Sequence, residues 1–221
     1  NLLILIIAGL FLLSCNNRAY LEEKIEEARK LADKNKFEDA IEILDQLDRD
    51  YPNEIDVILD RAIFKSMMGE EKESIEDYQK VLVLDPGNTL AYYNLGLSYA
   101  NLNRHKKAIE NFDKAIGTKG SELAWRDSGM GSYNNPYDVK KEEIRFERGN
   151  SRNETGELKG AFDDFSFSIN HFYQTGECYV LRGYIYWEYN MKKEACDDLL
   201  EAYKYEVPYN VDSMITACGC I

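Results

Sequence analysis

The chain is short of histidine, proline and basic residues, and each shortage removes a class of explanation. It holds two histidines among 221 residues. His105 and His171 stand apart without a partner motif, so there is no His-Glu-x-x-His pair and no imidazole set of metal-ligand spacing. A Gly-rich phosphate loop followed by Lys is missing too, as is a nucleophile elbow. The Gly129-Met130-Gly131-Ser132 stretch lacks the strand and helix such loops need. No catalytic residue, metal ligand or cofactor is therefore assigned. Four prolines and little two-residue alternation leave α-helices joined by short turns. The 27 Lys and Arg are outnumbered by 40 Asp and Glu, a formal charge of −13 that repels phosphate backbones, so nucleic acid is not an expected partner. No apolar run reaches the roughly 17–25 residues of a membrane span. At 44% apolar residues the composition still supports a packed core.

The one long apolar run, Leu2–Leu13, has the length of an export signal's apolar region, about 7–15 residues. The sequence shows neither an initiator Met nor the basic residues that precede such a run, so a few residues are expected ahead of Asn1. Leu12-Leu13-Ser14-Cys15 resembles the bacterial lipobox, although Leu13 is bulkier than usual at its place. The resemblance implies that residues 1–14 are a signal peptide and that Cys15 is diacylated by palmitate-type chains as the new N-terminus. Residues 15–20 then form a lipidated linker. Each buried CH₂ would add ~0.8 kcal/mol of membrane attachment. An ordinary secretory signal cut near Ser14 is the alternative.

Beyond the signal a 34-residue period emerges. Pro52 and Pro86 are 34 residues apart, and units 21–54, 55–88 and 89–122 align without gaps. The eighth position holds Ala28, Ala62 and Gly96, and the twentieth Ala40, Ser74 and Ala108. The twenty-fourth holds Leu44, Tyr78 and Phe112, and the twenty-seventh Leu47, Val81 and Ala115. Small residues let two antiparallel helices approach, and a larger apolar residue fills the space beside them. A lone helical hairpin cannot bury this face, so the units must stack. Two more follow at 142–175, with Gly149, Ala161 and Phe165, and at 176–209, with Gly183, Ala195, Leu199 and Ala202.

The third unit closely resembles the tetratricopeptide repeat family, through Tyr92, Leu95, Gly96, Tyr99, Ala108, Phe112 and Ala115; Gly120 stands where that motif has Pro. The resemblance implies an all-α fold, a right-handed superhelical solenoid of antiparallel helix pairs. The first helix of each pair would line an inner groove that binds extended or helical peptides. Units one to three span 21–122 and units four and five 142–209. Residues 123–141 are read as an insertion loop whose Trp125, Tyr133 and Tyr137 could contact a partner, and 210–221 as a capping helix. By resemblance the groove carries Ile25 and Arg29; Leu59, Ile63 and Met67; Tyr93, Leu97 and Asn101; Phe146 and Asn150; and Val180, Tyr184 and Trp187. Asp33, Asp56, Glu143, Glu154, Glu177 and Glu188 rim it. At places where the carboxylate-gripping variant of the family uses Lys, Arg and Asn, this chain has Leu59, Asp60, Glu143 and Glu147, so that activity is not carried over.

An exported chain favours cysteine pairing. A capping helix folded back on the last unit would bring Cys218 or Cys220 beside Cys196, and Cys196–Cys218 is the expected bridge, with Cys220 its substitute. The functional expectation is a non-catalytic protein-binding scaffold, lipid-anchored in a bacterial envelope, at the outer membrane ahead of the inner, its solenoid in the periplasm or at the cell surface. Its partner would carry apolar anchors and basic flanks. A dedicated subunit of an outer-membrane assembly, pilus or secretion machine is a narrower version. A small-ligand receptor or enzyme using groove and insertion is the reading from a different class.

Overall fold

The computed structural model describes residues 2–120, 138–205 and 207–220, with side chains from Asn17 onward. Among the described residues the chain forms eleven helices and no strand. They are α1 (Leu2–Ala32), α2 (Phe37–Asp50), α3 (Ile55–Met67), α4 (Glu71–Leu84), α5 (Thr89–Asn101), α6 (His105–Ile116), α7 (Lys141–Thr155), α8 (Leu158–Asn170), α9 (Thr175–Glu188), α10 (Lys192–Ala202) and α11 (Val211–Cys218). The chain divides into two compact units between Pro86 and Gly87. The first holds α1–α4, the second α5–α11, and within each unit every helix packs on the next.

One turn recurs in all five helix pairs. At the fifteenth position of each repeat the backbone is left-handed, at Asn35 (φ 57°), Gly69 (φ 81°), Asn103 (φ 56°), Gly156 (φ 78°) and Asn190 (φ 57°). Glycine and asparagine are the residues that tolerate this conformation. The following N–H groups, of Lys36, Glu70, Arg104, Glu157 and Met191, donate back to the carbonyls of Leu31, Lys65, Tyr99, Arg152 and Tyr186 at 2.8–3.0 Å. This is the hydrogen bond that closes a helix with a left-handed residue and satisfies an orphan carbonyl. The chain therefore reverses at the same step in every repeat, and the second helix returns along the first.

The returning helix meets the first where the small residues lie. Ala40, Ser74, Ala108, Ala161 and Ala195 are fully buried, as are Leu44, Phe112 and Phe165 opposite them. A Cβ added to Gly96 would sit 2.6 Å from the Phe112 ring, and one added to Gly149 2.8 Å from the Phe165 ring. Both distances are shorter than any carbon contact permits. Glycine stands at the eighth position where the twenty-fourth is Phe, and alanine does where it is Leu44 or Tyr78.

A second periodic element holds the pairs together. Arg61, Arg148 and Arg182, all at the seventh position, donate from Nε and Nη2 to both carboxylate oxygens of Asp77, Asp164 and Asp198, sixteen residues on, at 2.5–2.9 Å. Each guanidinium also reaches the preceding pair. Arg61 Nη1 donates to Asp45 and Asp48, Arg148 Nη1 to Asp113, and Arg182 Nη1 to Ser166. A planar fork suits this double task, because two N–H groups meet a carboxylate side by side and a third points elsewhere. In the third repeat the same two positions hold Leu95 and Asn111.

The ends bring two differences from expectation. Residues 15–20, expected as a linker, are helical and continuous with the rest of α1. The Cys15 side chain lies outside the described residues, and among the described residues no helix is long and apolar enough to cross a membrane. At the other end the disulfide joins Cys196 to Cys220, with Cα atoms 5.4 Å apart, and not to Cys218. Gly219, left-handed at φ 67°, turns the chain after α11, and the Cys220 N–H closes on the Ile215 carbonyl at 3.1 Å. That turn presents Cys220 to α10. Cys218 stays on the helix as a free thiol, and Cys178 is free and buried. Trp125, Tyr133 and Tyr137 of the insertion lie outside the described residues, while α6 packs directly on α7 within the second unit.

Candidate functional site

The thirteen groove residues expected from the repeat frame separate by position. Ile25, Leu59, Tyr93, Phe146 and Val180, all at the fifth position, are 2–8% exposed. They are packing residues: Tyr93 meets Phe112 at 6.0 Å between ring centroids, and Phe146 meets Phe165 and Tyr173 at 6.3 and 5.8 Å. The correction has a simple cause. The fifth position lies one helical turn before the eighth, so it shares the face that meets the second helix. Ile63, Leu97 and Asn150, at the ninth position, are partly open, while Arg29, Met67, Asn101, Tyr184 and Trp187 are exposed. These eight lie on a surface a partner could touch.

In the first unit the acid on this surface already has an answer. Arg29 donates from Nε to Asp60 Oδ2 at 2.7 Å. Burial pushes the Asp60 carboxyl above the ordinary range, and the Arg29 hydrogen bond and charge pull against that push.

In the second unit the corresponding stripe of α7 carries Glu143, Glu147 and Asn150, spaced by four and three and thus on one face. The buried Tyr93 hydroxyl of α5 donates to the Glu143 carboxylate. Burial foremost, and then Glu143 and Glu147, raise the Tyr93 hydroxyl well above its ordinary value. Tyr173, on the connection into α9, is pushed up to about 12 by burial and then by the same two carboxylates. Glu147 itself lies above the ordinary carboxylate range. Burial is the largest cause, the Asn150 hydrogen bond opposes it, and Glu177 and Glu143 add to it. Glu177, in the first turn of α9, accepts from the Tyr209 hydroxyl at 3.1 Å, and burial followed by Glu177 pushes that phenol up to about 12.

Among the described residues no Lys, Arg or His forms an ion pair with Glu143, Glu147 or Glu177. Three carboxylates and three phenols thus come together from α5, α7, the connection into α9, α9 itself and the segment before α11, and among the described residues no cation pairs with the carboxylates. Phe172, the residue before Tyr173 in the chain, is 89% exposed on a left-handed backbone with φ 57°, a conformation that costs a bulky residue energy. Such a face can hold an ammonium or guanidinium group beside an apolar side chain.

The repeat frame placed Glu143, Asn150, Glu177, Tyr184 and Trp187 near this face. It missed Tyr173 and Tyr209, which come from connections between helices, where helical periodicity carries no signal. Among the described residues no group of three or more His, Cys, Asp or Glu is placed to hold a metal ion.

Comparison with known proteins adds to this picture. Residues 89–118 match the tetratricopeptide repeat model and residues 68–103 a second TPR repeat model. Over 59 residues, 27% of the chain, the sequence is 30% identical to tetratricopeptide repeat protein 6 of Homo sapiens, and the match spans 11% of that protein. The fold is shared with MamA at a TM-score of 0.67, with 20% identity over 80% of this chain and 92% of MamA. It is also shared with YrrB, described as a TPR protein with an unusual peptide-binding site, at a TM-score of 0.68, with 18% identity over 88% of this chain and 90% of YrrB. The chain therefore contains tetratricopeptide repeats, set in the all-α solenoid fold of helix pairs that these proteins share.

Proposed function

We propose that this protein is a non-catalytic scaffold that holds a protein partner by a peptide segment with apolar anchors and basic flanks. The second unit's face of Glu143, Glu147 and Glu177 with Tyr93, Tyr173 and Tyr209 is the docking surface. The observation that carries the reading is that these half-buried carboxylates meet phenols and an amide but no cation. A basic partner supplies the missing charge, and charge complementarity of this kind sets both specificity and encounter rate. Peptide binding by a repeat protein of the same fold, as the description of YrrB states, supports the class of partner.

The same proposal includes location. Cys15 at the end of the Leu2–Leu13 run carries the lipid, and the repeats are displayed from a bacterial envelope, on the outer membrane in the first instance. Lipid fixes the place, the helix pairs hold the face rigid, and the partner's segment provides recognition.

The test has two arms. Intact mass of membrane-extracted protein is expected to show a diacylglycerol adduct on Cys15, and the Cys15→Ala variant is expected in the soluble fraction; a variant that stays in the membrane defeats the anchor. A photo-crosslinking residue at position 150 is expected to capture one partner, whereas the same probe at Asp163, exposed on α8, captures none. Equal capture at both positions would defeat the docking face.

A further inference from the structure

At the end of the second unit, beside the face described above and sharing Tyr209 with it, a cavity of about 320 Å³ opens between the segment after α10 and the first turn of α11. It is lined by Tyr203, Tyr205, Val207, Tyr209, Asn210, Val211 and Asp212. The cavity is built into the fold. Gly176, in the first turn of α9, lacks the side chain that would otherwise strike the segment, since an added Cβ would lie 2.5 Å from Tyr205 Cβ and 2.7 Å from Val207 Cγ1. On the far wall Asn210 caps α11, its side-chain oxygen accepting from the Ser213 N–H at 3.0 Å. Val211 is buried against Val180, Leu199, Ala202 and Ile215, and the Cys196–Cys220 bridge ties the same short helix to α10. Both walls are fixed from behind.

The lining is aromatic with one charge. Tyr203 and Tyr205 are exposed at 60% and 45%, so their rings are open to a ligand. The Tyr209 hydroxyl is already committed to Glu177. Among the described residues Asp212 supplies the only formal charge that lines the cavity, and no lysine or arginine does. Aromatic faces attract cations through their quadrupole, and a carboxylate at the rim strengthens the attraction. The chain uses this chemistry a few ångströms away: Tyr205 packs on Tyr179 at 6.4 Å between centroids, and the Arg182 guanidinium lies 5.4 Å from the Tyr179 ring centroid.

We propose that this cavity is a second binding site, specific for one organic cation, and that its occupant is the arginine or lysine side chain of a protein partner. The charge of −13 favours a basic partner over an acidic one, and a volume at the lower end of ligand-pocket sizes, ~300 Å³, admits a side-chain head with room to spare. The site shares Tyr209 with the docking face of α5, α7 and α9, but Tyr203, Tyr205 and Asp212 belong to the cavity alone, so either assignment can fail without the other.

The experiment titrates N-acetyl-arginine amide, N-acetyl-lysine amide, N-acetyl-norleucine amide and tetramethylammonium into the full chain and follows the tyrosine ring signals by NMR. Saturable shifts at Tyr203 and Tyr205, the rings that belong to the cavity alone, are expected with the two basic amides and not with the neutral one. Tyr205→Ala is expected to weaken binding about tenfold, and Asp212→Asn, an exposed and nearly isosteric change, roughly threefold. Equal shifts from the norleucine amide would overturn the cation assignment. A response to tetramethylammonium without one to the basic amides would overturn the side-chain occupant, and no saturable shift from any of the four would overturn the site.

Discussion

The second and fourth repeats are built alike on the inside and differently on the outside. Both bury a seventh-position arginine in a bidentate pair with an aspartate sixteen residues on, Arg61 with Asp77 and Arg148 with Asp164. Both place an acid at the sixth position, Asp60 and Glu147, where burial raises it. Asp60 meets a guanidinium from the preceding first helix, Arg29. The residue that corresponds to Arg29 beside Glu147 is Leu97, and the charges that Glu147 feels are two more carboxylates. Within each inner pair one ion needs the other, since an unpaired buried ion is expensive, while the third repeat stacks without such a pair, on Leu95 and Asn111. The outer acid of the fourth repeat is met by the Asn150 amide but by no cation, and acids with raised values of this kind gather at binding sites.

The largest expected effect tests the shared interior. Arg61→Leu and Arg148→Leu each take the bidentate partner from a carboxylate of 2% or less side-chain exposure and leave it one direct cation, Lys65 on Asp77 and Arg152 on Asp164, beside the more distant Lys80 on Asp77, so each is expected to cost about 3 kcal/mol, the lower end for a broken buried pair, measured by chemical denaturation. Arg148→Leu combined with Asp164→Asn reproduces the Leu95 and Asn111 of the third repeat and should recover most of that loss. If Arg61→Leu and Arg148→Leu differ widely, the two interiors are not equivalent.

Next in size is the close approach at the eighth position. Ala62 is tolerated in the second repeat, but Gly149→Ala should cost ~1–3 kcal/mol through its clash with Phe165. Phe165→Leu, which restores the pairing of Ala28 with Leu44, should relieve part of it in the double variant, as read by thermal melting.

Smaller effects probe the outer acids through pH. Glu147 has a folded-state value above the unfolded one. Its contribution to stability is therefore fully present below the ordinary carboxylate range and is lost as pH rises through the raised value. Glu147→Gln is accordingly expected to gain a few tenths to ~1 kcal/mol at pH 7 and to flatten the stability profile in the weakly acidic range. Asp77 behaves oppositely. Burial raises it, but the hydrogen bonds from Arg61 and Lys65 outweigh burial and hold it below its ordinary value, so its contribution is present above the ordinary range and disappears as pH falls. Leu97→Arg, which gives the fourth repeat the cation that the second already has, should change stability by less than ~1 kcal/mol and draw the Glu147 value down in a carboxyl NMR titration.

Much of this architecture was legible in the residues. Small and large positions repeat every 34 residues and have one packing meaning, so the helix pairs and the contact of Gly96 with Phe112 could be read directly. The left-handed turns were equally open to reading, since Asn35, Gly69, Asn103, Gly156 and Asn190 share the fifteenth position. The inner ion pairs were harder. An Arg and an Asp sixteen residues apart look like solvated charges until the hairpin folds and faces them inward. The groove was half legible, because the frame fixes a residue's angle around its helix but not which neighbour covers it, and so Leu59 and Val180 proved to be core. Tyr173 and Tyr209 were out of reach, since their positions depend on connections outside the period. The disulfide partner turned on Gly219, whose left-handed turn carries Cys220 past Cys218.

The most direct test of the docking face is equilibrium binding of the full chain to a peptide with an apolar anchor flanked by lysines, alongside the same peptide flanked by glutamates. Saturable binding of the basic peptide only is expected, weakened at least about tenfold by Leu97→Arg, for a loss near 1.4 kcal/mol, and left unchanged by Arg29→Leu in the first unit. Equal affinity for the two peptides, or binding indifferent to Leu97→Arg, would contradict the docking face.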